Sequence, residues 1–439
     1  MTPAAGTADA ARPDDPSRYR APIGTHDVLP PESGDWIEVV RAFGARAARY
    51  GFDLVLTPVF EHLEVFQRVG ESTDVVRKEM YDFEDKGGRR IALRPDGTAP
   101  VVRSFVQHRP PVPWNVWYVA PHFRYERPQK GRYRQFWQLG VESLGADDPE
   151  LDVEVIALAH GFYRDLGLKR FVLQLNSMGD AGTRGRYADA LRGYYSEHGV
   201  AFGPEFQERV AQNPLRLFDA KRDDWSPVIE NAPQITEYLS DVAEAHFERV
   251  QEGLHALGIK FEIDPRLVRG LDYYTRTTFE FQSESIDSAQ NAIGGGGRYD
   301  LLVEEMGGPP TPAIGFAIGV DRVLLACAAE GVLTDIEPHA DVFVVNGLGA
   351  TASLHVTLLA TELRENGLRV ERAYGDRSVK AQWKAADKSG AAYGVMLGKA
   401  EAERDAVAVK DLQSGEQVEV AREALVAWLR ERHETVASR

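Results

Sequence analysis

The apolar positions of the chain change texture twice. Trp36, Val39, Val40 and Phe43 recur at helical spacing and predict a helix over 34–50, with Ser33 as N-cap and Gly51 as stop. The run 52–56 follows as a strand, and Pro58 interrupts the chain soon after. Residues 116–119 and 136–141 read as strands flanking a polar loop, 127–134, which makes a long hairpin with a basic tip. Leu151, Val155, Leu158, Ala159 and Phe162 share one face of a helix over 148–166, and 171–175 reads as a strand. From Gly179 to Leu257 helical patterns dominate, punctuated by Pro204, Pro214 and Pro233, which predicts an inserted helical subdomain over 179–257. Strand patterns return at 260–263, 278–282, 291–299 and 313–318, and the last runs into a helix over 320–329.

Residues 331–339 read as a linker. Beyond it strands (341–345, 368–374, 393–397) alternate with helices (354–366, 379–388). Two further strands, 406–410 and 417–420, precede a last helix over 422–432. That alternation predicts a small α/β domain over 340–439 with a mostly parallel sheet. The hairpins and segregated helices before it predict an α+β domain with a mainly antiparallel sheet, split between 19–178 and 258–330. Residues 1–18 lack the apolar core of a secretory signal and read as a disordered tail.

Composition narrows the function classes. The chain has 439 residues, 43% hydrophobic and 27% charged, which suits two or three globular domains. One cysteine, Cys327, lies in an apolar run and reads as a packed core thiol. A lone cysteine excludes an intrachain disulfide and a cysteine zinc cluster, and fits a reducing cytoplasm. No apolar run approaches the roughly 18 residues of a membrane helix, so no membrane partner is expected. The formal net charge of −16 argues, as a sum, against nucleic acid. Binding is local, however. Arg124, Arg127, Lys130, Arg132 and Arg134 crowd one stretch opposed only by Glu126, and a second basic group comprises Arg369, Arg372, Arg377, Lys380, Lys384, Lys388 and Lys399. Either group is a solvated face or a place where RNA rests.

Four strings carry candidate chemistry. In the first, 123–142, Arg124 stands at a strand end before a basic loop, and guanidinium forks match phosphate bidentately. Gln138 and Glu142 on the returning strand are four apart, so both lie on one strand face. A polar face turned to solvent has the same spacing. In the second, 267–277, Arg269 is followed by Gly270 and the adjacent pair Tyr273 and Tyr274; both tyrosines reach one ligand only if the segment is irregular. The third, 293–300, contains four consecutive glycines, not in P-loop spacing, that let a ligand lie against a strand. In the fourth, 317–322, a strand runs into a helix that opens with Arg322, a suitable seat for an anion.

Together these strings resemble the histidyl-tRNA synthetase family. Residues 123–142 resemble the second signature motif of class II aminoacyl-tRNA synthetases, with Tyr125 where many members have histidine. Residues 317–322 resemble the third, and the predicted 34–50 helix with the strand ending at Pro58 resembles the first, dimer-forming motif. The string from Arg269 to Tyr274 resembles a signature that other class II enzymes lack, and Asp96 stands where many members have glutamate. The resemblance is firmest over 58–142 and 265–325 and thin over the insertion.

It implies a class II catalytic domain with a helical insertion, a C-terminal α/β anticodon-binding domain, and a homodimer. It implies ligation of L-histidine to its cognate tRNA through a histidyl-adenylate, with ATP as substrate and Mg2+ on the phosphates, although no metal-ligand motif is visible. Arg124 and Arg269 are then the catalytic arginines on the α-phosphate; Glu126 and Arg322 also bind ATP. Asp96 and Thr98 hold the α-amino group, Gln138 the backbone end of the amino acid, and Glu142, Tyr273 and Tyr274 the imidazole. Two relatives in resemblance do other work: the regulatory subunit of ATP phosphoribosyltransferase, which generally lacks the C-terminal domain, and class II synthetases for other amino acids. The C-terminal hundred residues weigh against the first, the 269–274 string against the second.

Overall fold

The computed structural model describes residues 19–70, 75–218, 225–268, 273–287, 291–333, 340–349 and 353–437. The chain forms two compact units, Met1–Thr334 and Asp335–Arg439. The predicted tail lies outside the described residues, as do most of the predicted linker and Arg269.

In the first unit α1 (Glu32–Arg49) leads into β1 (Asp53–Leu54), β2 (Phe60–His62), α2 (Leu63–Gly70), β3 (Tyr81–Glu84), β4 (Arg90–Leu93) and α3 (Thr98–His108). The long hairpin β5 (Trp114–Phe123) and β6 (Gln135–Leu144) follows, then α4 (Pro149–Asp165) and β7 (Phe171–Ser177). The span expected to be an insertion contributes α5 (Ala181–His198), α6 (Pro204–Gln212), α7 (Ser226–Glu230) and α8 (Asp241–Ala256). The chain returns through β8 (Glu262–Ile263), β9 (Thr275–Ser283), β10 (Ala292–Arg298), α9 (Leu302–Glu305), β11 (Ala313–Gly319) and α10 (Val320–Glu330).

Eight strands form one sheet in the order β1-β5-β6-β11-β10-β9-β7-β8. Only the outermost pairs, β1 with β5 and β7 with β8, are parallel. Period-2 alternation sorts its residues between two cores. Leu139 and Val141 of β6 join Val39 and Phe43 of α1 and Val155 and Phe162 of α4 on one face. Phe43 meets Phe162 edge-on at 5.1 Å, and truncating such a buried ring costs about 3–5 kcal/mol. The opposite face carries Tyr118 and packs in one cluster with residues of α3 and with Tyr273 and Tyr299, which flank β9 and β10.

Several boundaries differ from expectation for local reasons. Ser33 is inside α1 rather than capping it; the N-cap is Pro31, with no side-chain cap, and Glu32 and Asp35 complement the first turn. By contrast Asp148 caps α4 by accepting from the Glu150 amide, with Pro149 at the first helical position. The sheet β2-β4-β3 and the helices α2 and α3 escaped the hydrophobic pattern. Helix α8, read as part of the insertion, sends Phe247, Val250 and Leu254 into the main core. A separate hydrophobic cluster in that span is built from Tyr187, Leu191, Tyr195, Phe206, Trp225 and their neighbours.

The second unit runs β12 (Val342–Gly347), α11 (Ser353–Glu365), β13 (Val370–Arg372), α12 (Val379–Ser389), β14 (Tyr393–Gly398), α13 (Lys399–Glu403), β15 (Ala406–Asp411), β16 (Gln417–Ala421) and α14 (Leu425–Ala437). Its sheet order is β13-β12-β14-β15-β16. Strands β13, β12, β14 and β16 run in one direction, as the expectation of a mostly parallel sheet has it, but β15 runs against them, so that the pairings β14–β15 and β15–β16 are antiparallel. The connection from Gly398 to Ala406 holds only the one-turn α13, too short for a parallel crossover, which needs about a dozen residues. The next turn is tightened by Asp411, whose carboxylate accepts from the Gln413 and Ser414 amides.

Candidate active site

A cavity opens on the α3 side of the large sheet, where β5, β6, β9, β10 and β11 present their inward residues. Asp96, Thr98, Arg124, Glu126, Gln138, Tyr273, Tyr274 and Arg322 all line it, although they come from segments scattered over more than two hundred residues. The adjacent tyrosines both reach it because they lie in the irregular stretch before β9. Gly294 and Gly295 of the glycine string form part of the wall.

The segment before α3 is held by Arg94, which is 3% exposed. Its Nε donates to the Pro121 carbonyl at 2.8 Å and its Nη1 to Thr57 Oγ1 at 3.0 Å. Asp96 then sits at the N-terminus of α3, its carboxylate accepting from the Ala99 amide at 3.1 Å. Burial raises the Asp96 pKa, opposed by hydrogen bonding from that amide and by the nearby Arg124. Arg124 donates from Nε to the Pro95 carbonyl at 2.9 Å, and its guanidinium lies 5.4 Å from the Phe136 ring centre. Glu126 pairs with Arg132 in the hairpin loop. Arg322 ties the far side together, donating to the carbonyls of Gly131 at 3.2 Å and Ala292 at 2.9 Å.

Glu142 stands one layer beneath the cavity wall and is fully buried. Thr98 Oγ1 donates to its Oε1 at 2.7 Å and the Tyr299 hydroxyl to its Oε2 at 2.6 Å. A Cβ on Gly315, the residue across the strand pair, would meet this carboxylate at 1.8 Å, so glycine is required over it. Burial pushes the Glu142 carboxyl up to about 8, against the two hydroxyl hydrogen bonds that lower it. The expected direct contact of Glu142 with a ligand thus meets a carboxylate already holding two hydroxyls of the pocket wall, with lone pairs left over for a further donor.

Sequence reasoning missed two residues here. Tyr299 sits inside the glycine string, but its role as donor to Glu142 has no sequence signal. The hydroxyl of Tyr118, on β5, lines the cavity without a hydrogen-bond partner among the described residues, as does Gln138 Oε1. Buried polar atoms of this kind are rare in native interiors and mark a place for a polar ligand. Gly97 and Gly140 bracket the Tyr118 ring: a Cβ on either would come within 2.3 Å of it.

A largely antiparallel sheet, an arginine at the hairpin root, a second arginine where β11 meets α10, and buried carboxylates beneath the cavity together define a class II aminoacyl-tRNA synthetase. The model of the histidyl-tRNA synthetase family matches residues 24–181 and 208–323, and that of the anticodon binding domain matches residues 342–432. A histidine–tRNA ligase of Geobacillus kaustophilus is 48% identical over 420 residues, 94% of this chain and 98% of that protein. One from Streptomyces coelicolor is 47% identical over 421 residues, 95% and 98% of the two chains. The crystal structure of apo Staphylococcus aureus histidyl-tRNA synthetase superposes with a TM-score of 0.79 at 37% identity, covering 93% of this chain and 99% of that one. The chain belongs to the histidyl-tRNA synthetase family.

Proposed function

We propose that the cavity is where histidine and ATP meet, and that its residues divide the work as follows. The chain ligates L-histidine to its tRNA through the adenylate: the carboxylate of histidine attacks the α-phosphorus, pyrophosphate leaves, and the tRNA 3′-terminal adenosine takes the histidyl group. This is displacement at phosphorus, carried by positioning and charge stabilisation without a protein nucleophile. Arg124 faces the α-phosphate with Arg269, which lies outside the described residues; Glu126 contacts the nucleotide, and Arg322 takes the far phosphates. Asp96, at the start of α3, and Thr98 hold the α-amino group. Gln138 and Tyr118 offer their unpartnered polar atoms to the amino acid.

Tyr273 and Tyr274 close over the imidazole, and Glu142 sets the hydroxyl orientation of the floor on which it rests. Histidine has a ring that donates at one nitrogen and accepts at the other, which suits a wall of hydroxyls backed by a buried carboxyl group. The observation that carries this reading is the convergence of Thr98, Tyr299 and Glu142 beneath the tyrosine pair.

Mg2+ fits as a partner of the substrate phosphates. Glu126 and Glu280 line the cavity, and this ion is commonly held by one or two carboxylates plus phosphate oxygens. Among the described residues no cluster of three or more metal ligands occurs. The tRNA engages the C-terminal unit, whose exposed Tyr374 ring stacks under Arg372 at 4.5 Å. The protein works in the cytoplasm; no described helix is long and apolar enough to cross a membrane. It pairs as a homodimer through the edge around β1 and β2, where Ile37, Leu54, Leu56 and Phe60 are exposed.

Amino-acid-dependent ATP–pyrophosphate exchange across a panel of amino acids tests the central reading. Exchange is expected with histidine alone; exchange with a different amino acid, or with none, overturns it.

A further inference from the structure

Outside the cavity, five charged or titratable side chains close a ring. His246 Nε2 lies 2.8 Å from Asp152 Oδ2, and Asp152 Oδ1 accepts from Arg298 Nε at 2.7 Å. Arg298 Nη1 reaches Asp300 at 3.4 Å, and Asp300 accepts from Arg276 Nε at 3.0 Å. Arg276 Nη1 comes back to His246 Nδ1 at 3.4 Å. With its proton on Nε2, the imidazole donates to Asp152 and accepts from Arg276, so each contact has a donor and an acceptor. Arg298 and Asp152 are completely buried, and His246 is only 6% exposed. A buried ring of charges is a poor way to gain stability, because desolvation offsets most of the attraction. What it does supply is a fixed geometry.

The geometry it fixes is unusual. Between β9 and β10 the pairing passes from Gly297 with Thr278 directly to Arg298 with Thr275, so Arg276 and Thr277 bulge from the strand. Arg276 takes φ of 45°, the left-handed region that costs a non-glycine residue about 1–2 kcal/mol. Its backbone turns away from β10: its amide donates to the Gly179 carbonyl at 2.7 Å, and its carbonyl accepts from the Met178 amide at 2.6 Å. Asp300 also accepts from Thr275 Oγ1, and its own amide donates back to that hydroxyl. One residue before this bulge, ahead of Thr275, stand Tyr273 and Tyr274; directly between Arg298 and Asp300 stands Tyr299.

We propose that the ring His246–Asp152–Arg298–Asp300–Arg276 is the positioning device of the amino-acid pocket, holding the Arg276 bulge so that Tyr273, Tyr274 and Tyr299 stand in register around histidine. The proposal rests on the reading of the cavity as the histidine site. It also assigns work to the insertion: the chain leaves for it at Met178–Gly179, bonded to Arg276, and comes back along α8, which supplies His246. Arg276 and His246 act through the tyrosines and touch no substrate.

Histidine-dependent ATP–pyrophosphate exchange with the full chain tests this in wild type, Arg276→Gly, Arg276→Lys and His246→Ala. Glycine accepts the positive φ, so Arg276→Gly removes the guanidinium without adding backbone strain. The expected result is a KM for histidine raised about ten-fold, with the KM for ATP within about two-fold of wild type. Lysine at 276 recovers part of the loss by pairing with Asp300, and His246→Ala raises the histidine KM by about three-fold. A folded Arg276→Gly enzyme with unchanged histidine KM overturns the proposal, as does a parallel rise in both KM values. Should Arg276→Gly fail to fold, His246→Ala decides: an unchanged histidine KM rejects the ring. A wild type that does not exchange with histidine defeats the parent reading instead, so the two failures are distinguishable.

Discussion

Glu142 and Tyr118 show how single side chains store the pocket's chemistry. Glu142 is held by two hydroxyls yet titrates near 8, because burial outweighs both hydrogen bonds. A folded-state pKa above the ordinary 4.5 means that folding favours the protonated form. The stability this confers is complete below about 4.5 and is lost as pH rises through about 8. Glu142→Gln, which is neutral throughout, should therefore gain stability relative to wild type with rising pH, by on the order of a few kcal/mol at most. Melting temperatures of the two proteins from pH 5 to 9 check this; curves that stay parallel contradict it. Tyr118 tests the opposite trade. Its hydroxyl has no partner among the described residues, so Tyr118→Phe should leave the melting temperature unchanged or slightly raised. It should increase the KM for histidine by about ten-fold, the worth of one hydrogen bond of about 1–1.5 kcal/mol. An unchanged KM would place the hydroxyl outside the recognition surface.

At the level of elements, the sequence disclosed what repeats and hid what does not. The helices α1, α4 and α10 and the β5–β6 hairpin announced themselves through apolar periodicity, because each buries one face against a large core. The sheet β2-β4-β3 did not, since its strands have three or four residues and little buried surface. The basic hairpin loop was legible as a cluster of like charges, but its internal pairing of Arg132 with Glu126 was not. The residues lining the cavity were legible chiefly through resemblance. Gln138 and Glu142 do share a strand parity, yet the carboxylate turned out to be committed to Thr98 and Tyr299, partners contributed by α3 and the segment after β10. Such long-range pairs carry no local signal. Nor did the Arg276 bulge, because nothing in the string Thr275–Thr277 departs from strand-forming residues except the arginine itself.

On the scale of the whole molecule, the two units each have a separate core. All the described cavity residues belong to the first unit. Deleting residues 335–439 should therefore preserve histidine-dependent exchange within a few-fold while lowering tRNA charging at limiting tRNA by about 100-fold. Parallel exchange and charging assays on the truncated chain test this, and undiminished charging would contradict the role given to the second unit. The net charge of −16 and an RNA partner are compatible because binding is local and two stretches of the chain, 124–134 and 369–399, are rich in basic residues.

Cys327 has a practical consequence. It is the chain's sole thiol, it is 2% exposed, and burial pushes its pKa up to about 12. A thiol so rarely ionised and so enclosed reacts poorly with maleimides and iodoacetamides. The native chain is thus already silent to thiol labelling. A pair of cysteines introduced at exposed positions of α5 and α12 would take fluorophores or spin labels selectively, without first removing a native residue from the core. Distances within and between the labelled segments are accordingly open to measurement in an otherwise unaltered enzyme.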